Sequence, residues 1–541
     1  MKYIGQYNLA LVRNIKVRCT MDNSHLIDAL AVDKAWSAVK KLKISSLLSK
    51  SNAFVYKKSI DARDRKNIFL IYTIAFRLDD NSEINCKATG VEFVTVCNDY
   101  LFYEHNKSVS ERPVVVGFGP SGMFCALALA KAGLRPIVVE RGDDVDTRAE
   151  KVNCYWNNGV LDTNSNVQFG EGGAGTFSDG KLLTRISDKL CYFVLSELVR
   201  HGAPHEILYL AKPHIGTDNL RRVVKSMRNE IISLGGQVRF NSCFTRIIND
   251  SFGRVSEIVI NNNERISCDS LFLCIGHSAR DTVKSLMSSG VYVEPKPFSV
   301  GVRIEHLQSD IDNALYGDFA GAPSLGKAQY TLSKKFDNRA VYSFCMCPGG
   351  VVVASASDEG QIVTNGMSYY ARDGLNANSA IAVSVDTSDY GNTVDNAIDF
   401  QERIERNAFS LAGSDGSAPI QLLGDFLNGT CVNEPSRIQP TYTGKTVVRN
   451  ADFVFPEFIT NNLRRGLVMF ERDINGFCVN DAVLTFPETR TSSPIRINRD
   501  SGYLARGFSN IYPCGEGAGY AGGITSAAVD GLRAAIAYLN S

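Results

Sequence analysis

The segment GFGPSG places three glycines at a spacing that brings a polypeptide backbone against a phosphate group. Gly117 permits a tight turn after an apolar strand, Gly119 lets the backbone approach a pyrophosphate, and Gly122 lets a helix pack closely on the strand. The free N–H groups at the start of that helix favour an anion. We therefore expect this turn, including Pro120 and Ser121, to bind the pyrophosphate of a dinucleotide.

An acidic residue follows the next apolar strand, where such units contact the ribose. The helix after the turn ends at Gly133, and the strand Pro136–Val139 leads to Glu140 and Arg141. A carboxylate at this point accepts hydrogen bonds from ribose hydroxyls and favours an unphosphorylated ribose, as in FAD or NAD, over NADP. We assign Glu140 and Arg141 to the cofactor site. The alternative is a glycine turn in an ordinary βαβ unit.

Two later segments favour FAD over NAD. LFLCIGHSARD is typical of a flavoprotein strand that ends in a small-residue turn, here at Gly276. SNIYPCGEGAGYAGGITSAAVDGL has the strand, Gly–acid pair, glycines and helix of a C-terminal flavin motif, with Glu516 where Asp is usual. A helix N-terminus aimed at the flavin pyrimidine stabilises the negative charge of the reduced ring. This segment contributes the predicted cofactor residues Gly515, Glu516, Gly522, Gly523, Ile524 and Thr525.

A glycine-rich run, FGEGGAGTFSDGKLLTR, lies between these motifs at Phe169–Arg185. Glycines let a backbone pass close to a ligand. We expect Gly172, Gly173 and Gly175 to lie along the ribityl chain or the isoalloxazine. The alternative is a flexible surface loop.

Several side chains could do chemistry beside a flavin. His277 follows the flavin turn and is a candidate acid–base group. Arg490 is a candidate for holding an anionic substrate group. Cys345 and Cys347 form a CxC in a strand, where Cα atoms about 6.5–7 Å apart are marginal for an unstrained disulfide. The alternatives are a packed structural histidine, a surface arginine and buried thiols without redox activity.

The order of patterns along the chain predicts three units around these motifs. The pattern of residues 1–110 predicts a small basic α+β domain of the ferredoxin-like type, with a strand at Leu9–Arg18 and a helix at Ser24–Leu42. Residues 111–290 form the first part of an FAD-binding domain, residues 291–490 an inserted β-rich substrate or cap domain, and residues 491–541 close the FAD-binding domain. The expected fold class is α/β, with a three-layer FAD/NAD(P)-binding, Rossmann-like domain.

The bulk composition is that of an ordinary globular protein. The chain has 541 residues, 44% of them hydrophobic, and a net charge of +1. No apolar run reaches the roughly 20 residues that span a bilayer, and the N-terminus lacks the apolar core of a signal peptide. The 14 cysteines show no CxxC pair or zinc-ligand spacing. We expect reduced thiols, a cytoplasmic location, no membrane partner and no metal site.

At these motifs the chain resembles the bacterial uncharacterised FAD-dependent dehydrogenases, or NAD(P)/FAD-dependent oxidoreductases, over nearly its whole length. Further carriers are SIDARDRKN, NVQFGEGGAGTFSDGKL, PHIGTDNL, CMCPGG, NGMSYYARDGLNANSA and PETRTSSPIRI. The resemblance implies an FAD domain of the type shared with p-hydroxybenzoate hydroxylase and the tRNA-modifying MnmG/GidA proteins. In that fold the strand after the second helix presents a backbone group to the adenine, which by position is Phe244. The resemblance brings no substrate.

These observations favour an FAD-dependent oxidoreductase, a dehydrogenase or reductase, that transfers a hydride through flavin N5 for an unknown small-molecule substrate. Only one dinucleotide fingerprint is evident, so NAD(P)H, if used, docks transiently. The alternative function is an RNA-linked modification enzyme or RNA-binding flavoprotein. It rests on residues 1–70, where 14 basic residues against 5 acidic ones give a balance of +9, a charge suited to phosphates. A third reading is a non-catalytic protein in which FAD is structural.

Overall fold

The computed structural model describes residues 3–21, 26–42, 44–45, 48–78, 90–100, 107, 111–251 and 253–541. Within them the protein is a mixed α/β fold with several sheets, which confirms the expected α/β class. No helix in the described part of the chain combines the length and the apolar character that a membrane crossing requires.

The N-terminal unit is a four-stranded antiparallel sheet covered by one described helix. Its elements are β1 (Tyr3–Arg18), α1 (Ile27–Lys41), β2 (Ala53–Asp61), β3 (Phe69–Arg77) and β4 (Val91–Tyr100). The strand order is β2-β3-β1-β4, and α1 packs on the sheet through Ala31, Ala35 and Val39.

Two predictions for this unit concern residues that lie outside the described ranges. The predicted helix start at Ser24 lies outside them, and the first described helical residue is Ile27. A ferredoxin-like fold has a second helix before its last strand, and residues 79–89 at that point also lie outside the described part. The ferredoxin-like assignment therefore stays a prediction.

The second unit is built on a five-stranded parallel sheet of order β23-β11-β5-β6-β7, in which β23 (Ile511–Pro513) comes from the C-terminal part of the chain. Its elements up to residue 288 are β5 (Val114–Val116), α2 (Pro120–Lys131), β6 (Ile137–Val139), α3 (Val145–Asn158), α4 (Leu190–Arg200), α5 (Thr217–Ser233), β7 (Gln237–Arg239), β8 (Phe244–Asn249), β9 (Val255–Ile260), β10 (Glu264–Ser267), β11 (Leu271–Leu273) and α6 (Arg280–Ser288). Strands β5, β6 and β11 are apolar at every position, as buried parallel strands are.

Different layers cover the two faces of this parallel sheet. Helices α2, α4 and α5 share one apolar core with the C-terminal helix. The antiparallel sheet of order β10-β9-β8 shares the other core. Because carboxyl ends of parallel strands meet at one edge, the turns after β5, β6 and β11 lie together there.

The third unit is a seven-stranded sheet that lies between the two halves of the parallel-sheet unit in the sequence. Its elements and those that close the chain are β12 (Val293–Pro295), β13 (Phe298–Leu307), α7 (Gln308–Tyr316), β14 (Ser333–Phe336), β15 (Arg339–Cys347), β16 (Val351–Ala354), β17 (Thr364–Met367), β18 (Asn376–Val385), α8 (Thr387–Tyr390), α9 (Val394–Leu411), β19 (Ala418–Leu422), α10 (Leu423–Asn428), β20 (Thr446–Val448), α11 (Glu457–Glu471), β21 (Val483–Glu488), β22 (Ile495–Ile497), β23 (Ile511–Pro513) and α12 (Ile524–Leu539). The strand order is β14-β15-β18-β13-β21-β19-β20.

Candidate functional site

The glycine turn after β5 forms a backbone cradle that larger residues could not form. Gly117 has a φ of 95°, and a Cβ there would lie 2.3 Å from the carbonyl oxygen of Cys274. A Cβ on Gly122 would lie 1.9 Å from the Gly117 oxygen, so this glycine lets α2 pack on the turn. Gly119 differs, because a Cβ there would meet only Gly173, at 3.6 Å. The space at Gly119 is therefore left open by the protein.

Glu140, at the end of β6, ties this cradle to its neighbours. Its carboxylate accepts hydrogen bonds from the backbone N–H groups of Phe118 at 2.8 Å, Gly142 at 3.0 Å and Gly170 at 2.9 Å. The side chain is buried. A carboxylate has about four lone-pair positions, so about one remains for a ligand hydroxyl.

A cavity of about 360 Å³ runs from this cradle to the seven-stranded sheet. Its walls come from the turns after β5, β6 and β11, from the glycine-rich run, from β15, β17 and β21, and from the start of α12. The predicted residues that line it are Gly117, Gly119, Pro120, Ser121, Glu140, Arg141, Gly173, Gly175, Phe244, Gly276, His277, Arg490, Glu516, Gly522, Gly523 and Ile524.

Two helices begin at this cavity without a side-chain cap. Gly119 precedes α2 and Gly523 precedes α12, and neither helix start has a capping side chain. Exposed N–H groups and the helix dipole make such ends favourable for negative charge. The cavity therefore has two positively polarised walls.

Four predicted cofactor residues lie behind the cavity wall instead of on it. Gly122 packs against the turn as described, and a Cβ on Gly172 would lie 2.0 Å from the Thr176 hydroxyl. The Gly515 N–H donates to Asp530 at 2.7 Å, and the Thr525 hydroxyl donates to the Leu182 carbonyl at 2.8 Å. Gly122, Gly172, Gly515 and Thr525 therefore make packing contacts, and their assignment to the cofactor site stays a prediction.

His277 lines the cavity as a neutral imidazole. Its Nδ1 lies 2.9 Å from the Ser278 hydroxyl. Burial, with Arg490 and Arg280 nearby, lowers the pKa of His277 to about 3. An imidazole with so low a pKa stays neutral near pH 7 and is a weak base. The acid–base role of His277 stays a prediction, and its environment favours neutral hydrogen bonding.

Arg490 is held by a buried ionic network. Its guanidinium donates to Glu405 at 3.1 Å, to Ser357 at 2.5 Å and to Gln361 at 3.3 Å. Arg280 pairs with the same glutamate at 2.9 Å. Although burial opposes ionisation, Arg280 and Arg490 lower the pKa of Glu405 to about 2. Most donors of Arg490 are thus already used within the protein, which leaves little of it for an anionic substrate.

Glu516 has the opposite character. It lines the cavity, and burial raises its pKa to about 7 against the lowering effect of Lys296. A carboxyl group with this pKa exchanges its proton near neutral pH. The sequence predicts that Glu516 contacts the cofactor. Its raised pKa also gives this side chain a capacity for proton transfer.

Sequence reasoning missed the ion pair of Arg303 and Glu488 at the end of the cavity formed by the seven-stranded sheet. Arg303 is fully buried and makes two hydrogen bonds to Glu488, at 2.8 and 2.7 Å. Glu488, Asn365 and Lys181 line the cavity. Lys181 forms an ion pair with Asp179 at 2.7 Å. No local signal joins Arg303 to Glu488, because they lie 185 positions apart.

One cluster outside the cavity resembles a metal site in composition. Glu197, His201 and Glu230 have ligand atoms close together. Arg200 and Lys131, however, form ion pairs with both glutamates. These cations occupy the carboxylates, so the cluster is a charge network.

Comparison with known proteins places this fold and cavity in a class of flavin-dependent proteins. Residues 297–491, which contain the seven-stranded sheet, match the family described as FAD-dependent protein, C-terminal domain-like. An uncharacterized protein of Clostridium beijerinckii (strain ATCC 51743 / NCIMB 8052) is 44% identical over 494 residues, covering 89% of this chain and 91% of that protein. The chain belongs to the same family as this clostridial protein, a family of uncharacterised FAD-dependent proteins, and its cofactor is FAD.

The solved structures that match are more distant. OTEMO in complex with FAD and NADP is 20% identical with a TM-score of 0.21, and the match covers 32% of this chain and 26% of OTEMO. CtdE in complex with FAD is 12% identical with a TM-score of 0.31, covering 80% of this chain and 84% of CtdE. FqzB is 11% identical with a TM-score of 0.32, covering 80% and 76%. TM-scores this low support no conclusion about this chain.

Proposed function

We propose that the protein is an FAD-dependent oxidoreductase that transfers a hydride between the flavin and a small molecule bound against the seven-stranded sheet. The observation that carries this proposal is the single cavity that joins the glycine cradle to β15, β17 and β21. An FAD molecule that extended from the glycine cradle to the seven-stranded sheet would bring its flavin ring to the polar side chains at that end of the cavity. When bound, FAD supplies hydride acceptance and donation at flavin N5.

The residues of the cavity fit FAD at three points. The start of α2 at Gly119 suits the pyrophosphate, and the remaining acceptor position of Glu140 suits a ribose hydroxyl. The start of α12 at Gly523 and Ile524 suits the electron-rich edge of a flavin. These matches support the assignment of the FAD-binding, three-layer Rossmann-like type to the parallel-sheet unit.

The substrate would lie where Phe344, Cys345, Asn365 and Glu488 face the cavity. This wall combines an aromatic ring, a thiol, an amide and a carboxylate, which suits a small polar molecule. Glu516 would hold or accept a proton at its carboxyl group, because its pKa of about 7 makes both forms available. His277 would act as a neutral hydrogen-bonding group.

Anaerobic titration of the purified holoprotein with NADH and with NADPH, followed by flavin absorbance, tests this function. We expect one nicotinamide to bleach the oxidised flavin stoichiometrically, as transient docking requires. If neither does so while dithionite bleaches it, the NAD(P)H linkage is wrong and another donor must be sought. A flavin that dithionite cannot reduce reversibly would contradict an oxidoreductase altogether.

A further inference from the structure

Cys345 and Cys347 lie where the β15 strand meets the cavity. Cys345 lines the cavity wall, and Cys347 is buried behind it. The pairing of β15 with β18 shifts register between Phe344 and Cys347. Cys345 has a φ of 47°, a left-handed conformation that non-glycine residues rarely adopt. Irregular strands and such conformations concentrate at functional sites, where they re-aim a side chain.

Two cations flank the pair, the half-buried Lys181 and the fully buried Arg303. The Lys181 ammonium lies 3.7 Å from the Cys347 sulfur, and Arg303 donates to the Cys345 carbonyl at 3.3 Å. The Cys347 sulfur lies 3.2 Å from the same carbonyl oxygen. Positive charge beside a thiol favours the thiolate, which is the reactive form.

The charged groups around the pair support one thiolate and one thiol. A hydrogen bond from Cys347, with Lys181 and Arg303, lowers the pKa of Cys345 to about 6 although burial and Asp179 oppose this. The hydrogen bond to Cys345, together with burial, raises the pKa of Cys347 well above its ordinary value. Glu488 and Glu516 also line the cavity. Glu488 is paired with Arg303 at 2.7 Å, and burial raises the pKa of Glu516 to about 7, so both add little uncompensated negative charge at and below neutral pH.

We propose that Cys345 and Cys347 are a redox-active thiol pair that reduces disulfides, Cys345 being the attacking sulfur and Cys347 the resolving one. The inference rests on the proposed function only in that reduced flavin would restore the dithiol after each turnover. Thiol–disulfide exchange itself needs only the dithiol and a disulfide substrate.

The exchange balances in two steps. The Cys345 thiolate attacks one sulfur of the substrate R–S–S–R, the substrate S–S bond breaks, and R–S⁻ leaves. The Cys347 sulfur gives its proton to the departed thiolate and attacks the Cys345 sulfur. A Cys345–Cys347 bond forms, and the second R–S⁻ leaves and is protonated by solvent. Two electrons pass from the protein to the substrate, which yields two thiols. A bond across so short a loop is strained and therefore readily reduced again.

Trapping with 2-hydroxyethyl disulfide tests this inference on the flavin-loaded protein. The holoprotein is incubated with the small neutral probe, free thiols are alkylated under denaturing conditions, and peptides are mapped by mass spectrometry. We expect a Cys345–Cys347 disulfide in wild type, a stable mercaptoethanol adduct on Cys345 in Cys347→Ser, and neither in Cys345→Ser. Cys154→Ser, which changes a partly buried cysteine outside the cavity, is the matched control and should behave as wild type.

The outcomes separate this inference from the proposed function. An adduct on Cys345 in wild type without an internal disulfide would overturn the pair, as would a Cys347→Ser variant unmodified at Cys345. Flavin content and dithionite reduction are recorded on the same samples. A protein that carries reducible FAD yet fails to exchange contradicts only the thiol inference, whereas exchange without reducible FAD contradicts only the flavin function.

Discussion

The Glu140 carboxylate stabilises the fold through hydrogen bonds within the protein, even when no ligand is bound. Three backbone N–H groups from the turns after β5 and β6 and from the glycine-rich run converge on it. The sequence identified Glu140 as a ribose ligand from its position after β6, which is a local pattern. The sequence did not predict the hydrogen bond from the Gly170 N–H to Glu140, because that contact depends on how the glycine-rich run folds back onto β6.

Replacement of Glu140 by alanine should therefore destabilise the protein even without FAD. Each buried donor left without an acceptor costs about 1–3 kcal/mol, so we expect flavin-free Glu140→Ala to melt several degrees below wild type. Glu140→Gln keeps one acceptor oxygen and should lie between the two. Thermal unfolding of the flavin-free proteins by circular dichroism measures this, and an unchanged melting temperature for Glu140→Ala would show that the three bonds carry no stability.

Glu516 gives the protein a specific dependence on pH. In the unfolded chain this carboxyl group ionises above about pH 4.5, whereas its pKa in the folded protein is raised to about 7. The folded state thus binds more protons between these values, and stability falls as the pH rises through this window.

Glu516→Gln should remove this loss. We expect the flavin-free variant to be more stable than wild type at pH 8, by on the order of 2 kcal/mol, and no more stable at pH 4.5. Denaturant unfolding at the two pH values makes the comparison. An equal difference at both values would mean that Glu516 is not a proton-binding group of the fold.

At the scale of elements, a buried ionic network joins helices of two units. Glu405 on α9 receives Arg280 from the start of α6 and Arg490 from just beyond β21. The glutamate is fully buried. Removing one charged group from such a network leaves the remaining buried charges without a partner of opposite sign. The cavity wall at His277 and Arg490 depends on this network for its position.

Glu405→Gln should destabilise the protein by about 3–5 kcal/mol, the usual cost of breaking a buried ion pair. Arg406→Gln is the matched control on the same helix, because Arg406 is 54% exposed and its pair with Glu402 is worth at most about 1 kcal/mol. Parallel denaturant unfolding of both variants provides the test. Equal losses in the two variants would contradict the structural importance of the network.

The sequence predicted elements best where the pattern is local. Helices α2 and α12, expected after the glycine turn and at the C-terminus, are confirmed at Pro120–Lys131 and Ile524–Leu539. The pairing of β13 with β18 and β21 could not be predicted, because nothing local specifies a partner so far along the chain. The pairing of Arg303 with Glu488 was missed for the same reason.

At the scale of the whole molecule, the basic N-terminal unit is joined to the parallel-sheet unit. Lys58 on β2 forms backbone hydrogen bonds with Tyr209 and Ala211, both of 2.8 Å. The Lys58 side chain pairs with Asp28 at 2.8 Å, and Arg63 pairs with Asp61. Part of the positive charge that suggested RNA is therefore neutralised within the unit.

We expect no measurable RNA affinity at physiological salt. The measurement is fluorescence anisotropy of a labelled single-stranded RNA over a range of salt concentrations, with a double charge reversal at the exposed Lys57 and Lys66 as comparison. Binding that weakens steeply with salt and is lost in the charge-reversed protein would favour the RNA-linked function instead.

Gly119 allows a direct test of whether FAD occupies the cavity that begins at the glycine cradle. A methyl group there meets only Gly173, at 3.6 Å, so the fold should accept alanine while the cofactor loses space. Gly502→Ala is the control, since its added methyl would lie 3.3 Å from Asp500 and outside the cavity lining.

The measurement is the ratio of bound flavin to protein after purification, followed by FAD titration of the flavin-free proteins. We expect Gly119→Ala to keep the wild-type melting temperature without flavin and to bind FAD at least about tenfold more weakly, which corresponds to about 1.4 kcal/mol. Gly502→Ala should bind FAD as wild type does. Full FAD occupancy in Gly119→Ala would contradict the placement of the cofactor in this cavity.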